Sequence, residues 1–495
     1  MVMISSRSTN SVASRKSEIF FIVAAAALIF RNCFLRPFAV ADDYRMLLAV
    51  PDMGIFDIYS GHAGVETATG RVIPALLFKA IWFKASNLQS LDYVRFVGLV
   101  IVVICVLLLM NFFRSLLEIQ NLSNRFLLAA GGLIVLCLPS TAAILTWAQK
   151  TTQILALLFA VLAGLLATRT SSSNRYILPL VAVLLMMSAF TYQHFVMIAT
   201  LPIFVSLAQH YGTSLQKLVF RRAFFVFSAG LIALIFNFLF VSILYPDVAE
   251  RIAGQTIFDR LESFFLSCLP KSMHLFVRQD IPLVLFSLLL MSLIIGVSIA
   301  LSHTSIRLLI AVFASAGVSA LITLGGDGNT AYRIVFPSQM TLWTGVIGVA
   351  AISIQNSSNN QLKKLMLSLV LVTVVIVGVE ANTTINQRII LANERDYAEL
   401  ECKLQRHSAL TPPKEIVIRL SPVPLRGSNA VYSEIGLLAR HVNWLAADQL
   451  QLAIRELNLQ NLLGSVPIRI LDSQESLPAA DESILILDSQ ESCSG

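Results

Sequence analysis

The chain has 495 residues, of which 56% are hydrophobic and only 13% are charged, with a formal net charge of +7. A soluble domain needs about a quarter charged residues to cover its surface, so this composition excludes a soluble globular protein and leaves most of the chain facing lipid. The basic excess is scattered at the ends of apolar runs, with no compact Lys/Arg block, which excludes a nucleic-acid footprint.

Several runs of roughly 18 or more residues carry no charge, the length needed to span a hydrocarbon core about 30 Å thick. Clear examples are Phe96–Phe113, Ala223–Leu244, Ile281–Ser302 and Leu308–Gly326. The expected fold class is an α-helical polytopic membrane protein, because lipid satisfies no backbone polar group and a helix bonds its own. Eleven spans are expected, at about 18–38, 93–113, 126–145, 149–168, 176–190, 195–209, 223–244, 282–301, 306–324, 335–354 and 365–381. The fifth and sixth are short and could be one helix broken at Thr191-Tyr192-Gln193-His194. Arg169 and Arg175 precede them and Lys217, Arg221 and Arg222 follow, so two crossings keep both basic loops on the cytoplasmic side. The same parity puts residues 1–17, Arg114, Arg125, Arg307, Lys363 and Lys364 in the cytoplasm. It sends loops 39–92, 139–149, 191–194, 245–281 and 325–334, and the tail from Asn382, to the opposite face.

The organisation expected is a cytoplasmic N-terminus (1–17), a membrane domain (18–381) and a small extracytoplasmic α/β domain (382–495). Asn382–His407 is polar and helix-compatible, and Pro412-Pro413 punctuates. Glu415–Leu420, Val466–Asp472 and Ser483–Asp488 read as strands, while His441–Asn458 has helical spacing. LDSQES occurs at Leu471–Ser476 and again at Leu487–Ser492, as two similar strand-to-turn exits rather than a solenoid repeat. The six cysteines form no CxxC or Cys/His cluster, so no metal site is expected from them. Cys402 and Cys493 could pair if the tail lies in an oxidising compartment.

The candidate chemistry gathers in the outward loops. After the first span comes Asp42-Asp43-Tyr44-Arg45. One reading is an interfacial helix cap; the other is a pair of carboxylates that raise one another's pKa, one of which accepts a proton from a sugar hydroxyl. Ala39-Val40-Ala41 also resembles a signal-peptidase site, although Arg31, Arg36 and Pro37 make the preceding segment unusually long and basic. Gly70-Arg71 precedes an apolar stretch suited to lying in the interface, and a guanidinium there suits a lipid phosphate. Pro139-Ser140…Trp147-Ala148-Gln149-Lys150 and Tyr192-Gln193-His194 read as turns between spans, and an aromatic belt or headgroup contact would explain either. Tyr332-Arg333 closes the loop that begins at Gly325, where Arg333 is a second candidate for phosphate. Loop 245–281 carries Asp259, Lys271, His274 and Arg278 and suits acceptor recognition or gating, with a solvated loop as the alternative. A carrier would place ionisable groups near the middle of its spans, which here are mostly bare.

The ordered set ADDYR, TGRVIP, LPSTAAILTWAQK, TYQHF and AYRIVFP resembles the bacterial O-antigen glucosyltransferase family associated with serotype conversion, a branch of the GT-C class. The likeness covers roughly residues 20–400. It implies inverting transfer of a sugar, glucose in that family, from a polyprenyl-phosphate donor to a glycan acceptor such as O-antigen. The reaction would occur at the periplasmic face of the bacterial inner membrane. On this likeness Asp42 is the base that deprotonates the acceptor hydroxyl. Asp43 orients it, or holds a divalent metal where members use one. Arg71 and Arg333 bind the donor phosphate, and Tyr44, Trp147, Tyr192, Gln193, His194 and Tyr332 shape the substrate pocket. The acidic pair lacks a clear acidic partner in a later outer loop, where Asp327 and Asp259 are the available candidates. No resident cofactor is implied. Competing expectations are a lipid-linked glycan polymerase or ligase, which does not need the acidic pair, and a flippase for lipid-linked sugars, which needs a polar route across the membrane.

Overall fold

A computed structural model describes residues 7–49, 70–117 (83 excepted), 121–169, 176–246, 256–322 (279 excepted), 332–407, 413–421 and 438–488 (473, 477 and 479–483 excepted). Asp327 and Cys493 lie outside the described residues. The helices used below are α1 (Arg7–Ile29), α2 (Asp43–Ala49), α3 (Val72–Trp82), α4 (Leu91–Ser115), α5 (Leu122–Cys137), α6 (Pro139–Thr146), α7 (Thr151–Ala167) and α8 (Ile177–Tyr192). They continue with α9 (Thr200–Gln209), α10 (Gln216–Leu244), α11 (Ile281–Leu301), α12 (Thr304–Leu321), α13 (Tyr332–Asn356), α14 (Asn360–Thr384), α15 (Leu391–His407) and α16 (Asn443–Glu456).

Among the described residues, eight helical runs are long and apolar enough to cross a membrane, or nine if α5 and α6 count as one bent span. Three departures separate this from the eleven expected. The first apolar run breaks early: α1 ends at Ile29, a turn follows, and Asn32–Leu35 is a single helical turn. Arg31, Asn32, Arg36 and Pro37 interrupt what would otherwise be a full span. The third expected span is bent by 57° between α5 and α6. Pro139 opens α6 and pushes the residue before it into extended backbone, and Leu138 duly has φ −58° and ψ 145°.

The third departure concerns the two short spans. Ile177–Gln209 is a continuous 33-residue helical run by composition, yet its contacts reverse direction at Tyr192, whose φ −161° and ψ 102° are extended. Ser188 Oγ donates to Ala156 O at 2.9 Å near the start of α7. Eleven residues later a Cβ on Gly164, near the end of α7, would meet the Ala199 carbonyl oxygen at 2.5 Å. The chain climbs α7's flank in α8 and descends it again. Consistent with this, Arg222 Nη1 in α10 donates to Ala167 O at 3.2 Å and also to Arg169 O, so the two basic loops meet at one end of the bundle.

The bundle is organised around α13, whose membrane-length window is buried throughout. Small residues let its neighbours approach closely: Gly345 faces Val312 of α12 and Gly348 faces the Phe113 ring of α4. The helix of the last span does not end where its apolar stretch does, near 381. It continues through a π-helical segment, Ile385–Ile390, into α15, giving one 47-residue run from Asn360 to Arg406.

That helix delivers the tail, whose expected strands are present as β1 (Glu415–Arg419), β2 (Ile468–Leu471) and β3 (Ile484–Asp488). They form a parallel sheet in the order β2-β1-β3, with Ile416 paired to both Ile468 and Leu485. Parallel strands need a crossover, and α16 lies between β1 and β2 in the chain. The domain is fastened to the bundle by Arg45 Nε to Asp448 Oδ2 at 2.8 Å and by Arg455 to the carbonyls of Leu47 and Ser86 at 3.0 and 2.8 Å. Cys402 is disulfide-bonded, while Cys33, Cys105, Cys137 and Cys268 are free.

Candidate functional site

The site assembles around the segment that precedes α2. Asp43 is fully buried. Its Oδ2 pairs with Arg95 Nη2 at 3.2 Å and accepts from the Val40 and Ala148 amides, while Oδ1 accepts from the Gln149 amide at 2.9 Å. Burial pushes the Asp43 carboxyl above its ordinary range, against the pull of Arg95 and the three amides. Arg95 is itself buried, lies over the Phe38 ring at 3.7 Å, and donates to the carbonyls of Thr146 and Phe38. One ion pair therefore stitches the first loop to the Trp147 turn. Phe38, Ala39 and Val40 are fully buried in this arrangement, which seals the sequence that resembled a cleavage site.

Asp42 is treated differently by the same backbone. Ala41 sits at φ +48°, a left-handed conformation that costs an alanine about 1–2 kcal/mol. Asp42 follows in the turn and is half-buried. No hydrogen bond or ion pair engages its carboxylate among the described residues. A strained residue thus separates the buried segment from a carboxylate left available.

Gly70 positions Arg71. It has φ +82°, and a Cβ there would lie 2.5 Å from Asn237 Oδ1. Asn237, buried in α10, donates to Gly70 O at 2.7 Å and to Ala189 O at 3.2 Å. Only glycine suits both the conformation and the close approach. The clasp leaves Arg71 at the start of α3, with its guanidinium 4.8 Å from the centroid of Tyr192. Tyr192 in turn lies 5.0 Å from the His194 ring.

Arg333, in the first turn of α13, lies 4.9 Å from the Trp147 ring centroid, and Lys150 Nζ lies 4.1 Å from it. The preceding residue, Tyr332, is buried and shares a 2.6 Å hydrogen bond with His274 Nδ1. Lys271 Nζ lies 5.6 Å from the Tyr332 ring. Burial pushes the His274 imidazole down to about 4, so it is neutral near pH 7. Trp147 Nε1, Gln193 Oε1, His194 Nδ1 and His274 Nε2 are buried atoms with no hydrogen-bond partner among the described residues. Native proteins rarely leave such groups unmatched, and water or a ligand would ordinarily complete them.

Of the residues expected from sequence, the structure gathers Asp43, Arg71, Trp147, Tyr192, His194, Tyr332 and Arg333. Tyr44 goes elsewhere: it is buried at the domain junction, accepts from Gln449 Nε2 at 3.2 Å and stacks on Tyr397 at 6.2 Å. Asp259 caps its own short helix through Thr256. Sequence reasoning passed over Arg95, and it named Lys150 only within the Trp147 turn and Lys271 and His274 only within a candidate acceptor-recognition loop. Arg95 carried a usable signal, an arginine a full turn inside an apolar helix.

The fold and site together define a polytopic helical membrane protein with a buried polar site at the end of the bundle that carries its α/β domain. No family model matches the chain, and no curated protein matches it in sequence. Among solved structures, the chain is similar to the crystal structure of ArnT from Cupriavidus metallidurans bound to undecaprenyl phosphate. The identity is 11%, over 95% of this chain and 89% of that one, with a TM-score of 0.43. A likeness that loose carries no inference about this chain's chemistry.

Proposed function

We propose that the chain is a GT-C-type inverting glycosyltransferase. It moves a hexose, glucose by the family likeness, from a polyprenyl-phosphate donor to a surface glycan such as O-antigen. The observation that carries the reading is convergence: segments far apart in sequence bring an available carboxylate, two arginines and unmatched buried polar atoms to one end of a membrane bundle. Asp42 accepts the acceptor hydroxyl proton as that oxygen attacks the anomeric carbon from the face opposite the phosphate. The carbon–oxygen bond to phosphate breaks, and its electron pair leaves on the phosphate oxygen, where Arg71 and Arg333 stabilise the charge. Trp147, Tyr192, Gln193, His194 and Tyr332 line the donor sugar.

Asp43 takes a positioning role. A divalent metal does not fit it, because both its oxygens are held by Arg95 and by backbone amides, and no step is routed through a metal. Cys402 lies in a disulfide, and disulfides persist in oxidising compartments. That supports a periplasmic tail, and with it a periplasmic Asp42, in the inner membrane of a bacterium. The test is the surface glycan of the native host after Asp42→Asn. Loss of the added sugar, with the protein still in the membrane, is expected; an unchanged glycan overturns the reading.

A further inference from the structure

A second concavity lies where the tail meets the bundle. Its volume is about 640 Å³, and it is lined by Pro37, Ser86, Gln89, Tyr397, Glu401 and Glu456 among others. That size falls within the range of ligand sites, which favour domain junctions. Most of the lining side chains can hydrogen-bond, while the wall surface is about as apolar as it is polar, a mixture that suits a sugar, with its hydroxyls and its C–H faces.

Its charges are mostly committed. Glu456 accepts from the Leu88 amide at 3.0 Å and from Tyr397 Oη at 2.9 Å. Glu394, also on the wall, pairs with Arg36 at 3.2 Å. Arg455 donates to the carbonyls of Leu47 and Ser86 and is not turned to an anion. Glu401 lines the cavity one helical turn beyond Tyr397, half-buried, with its carboxylate unengaged among the described residues. Gln89 is exposed in the opposite wall. The free valences are therefore acceptors on a carboxylate, amide groups and the walls' hydroxyls. Fixed donors and acceptors of that kind match a polyol, and the surplus of carboxylates rejects phosphate and uronate groups.

We propose that this junction cavity binds the acceptor, as a hydroxyl-rich oligosaccharide without anionic groups, and that the tail is an acceptor-recognition element. The proposal rests on the glycosyltransferase reading and names the substrate of the same reaction. Location supports it: Pro37 lines the cavity five residues before Asp42, and Tyr397 stacks on Tyr44 two residues after it. A glycan held there lies alongside the segment that presents the base.

The experiment uses the full chain in detergent or nanodiscs and an array of neutral, amino-sugar and anionic oligosaccharides. Binding is expected to the neutral or amino-sugar members, weakened at least tenfold by Glu401→Gln with Gln89→Ala, and abolished by Ala398→Trp, which fills the cavity from an exposed wall position. Asp42→Asn should leave binding intact. In transfer assays the Glu401→Gln/Gln89→Ala variant should raise the acceptor KM without changing the donor KM. No binding to any glycan, preferential binding of anionic glycans, or binding indifferent to all three substitutions overturns the proposal. Transfer with an unchanged acceptor KM in these variants sinks the cavity while leaving the glycosyltransferase reading in place. Cavity-dependent binding without transfer by the wild-type chain does the reverse.

Discussion

The two ends of the helical bundle differ in degree in how their polar groups are matched. At the end away from the tail, charges are matched locally: Glu18 pairs with both Arg114 and Arg125, and Arg222 donates to two carbonyls at the end of α7. At the tail end Arg71 and Arg333 lie over aromatic faces, as Arg307 does over Tyr211 at the far end, and Trp147, His194 and His274 hold buried atoms without hydrogen-bond partners among the described residues. Among the described residues the most deeply buried charge pair lies there too, Asp43 with Arg95. On the proposed function, the unmatched groups at the tail end are those a bound substrate would match.

Breaking the buried pair should have the largest effect on stability. Asp43→Ala leaves the Arg95 guanidinium buried and uncompensated, and removing one partner of a buried pair costs about 3–5 kcal/mol. A large drop in detergent thermal stability and in membrane yield is expected. Arg333→Ala and Arg71→Ala should fold, yet lower turnover about 10²–10³-fold, as loss of a group that stabilises developing charge does. Steady-state kinetics with a polyprenyl-phosphate sugar check this. Gly70→Ala strains a left-handed residue by about 1–2 kcal/mol and collides with Asn237. It should reduce activity through Arg71 while leaving the far end intact, and smaller loss of activity than Arg71→Ala is expected.

His274 gives a pH signature. Its folded value is about 4 against about 6.5 when unfolded, so the unfolded chain binds more protons between these limits. Stability should fall as pH drops from 6.5 toward 4, and His274→Gln should flatten that slope in melting curves. The smallest effect on transfer is expected at the matched end. Glu18→Gln should lower stability, because it leaves two partly buried arginines without their carboxylate, and leave transfer unchanged; a large loss of activity there would erase the contrast between the ends.

Much of this was legible in sequence because membrane chains announce their spans by length and charge. The reversal at Tyr192 followed from the parity of basic loops, and Gly70-Arg71, Trp147 and Tyr332-Arg333 were found as short polar marks in an apolar text. What was hidden depends on packing. The division of labour between Asp42 and Asp43 turns on Ala41 adopting a left-handed backbone, which no residue type there signals. Tyr44 sits in the motif but faces the tail, because α2 turns it toward Tyr397. What the apolar run could not show is that the helix carries on without a break beyond the polarity change near 381, through the polar segment to Arg406.

The central claim is that Asp42 is the available carboxylate of the pair and acts as the base. The most direct measurement is single-turnover transfer from a polyprenyl-phosphate sugar to purified acceptor glycan by wild-type and Asp42→Asn protein in nanodiscs. Folding is to be matched by melting temperature. Loss of a general base predicts a fall of about 10²–10⁴-fold at unchanged stability and donor affinity. Transfer within a few-fold of wild type by the Asp42→Asn protein would contradict the account.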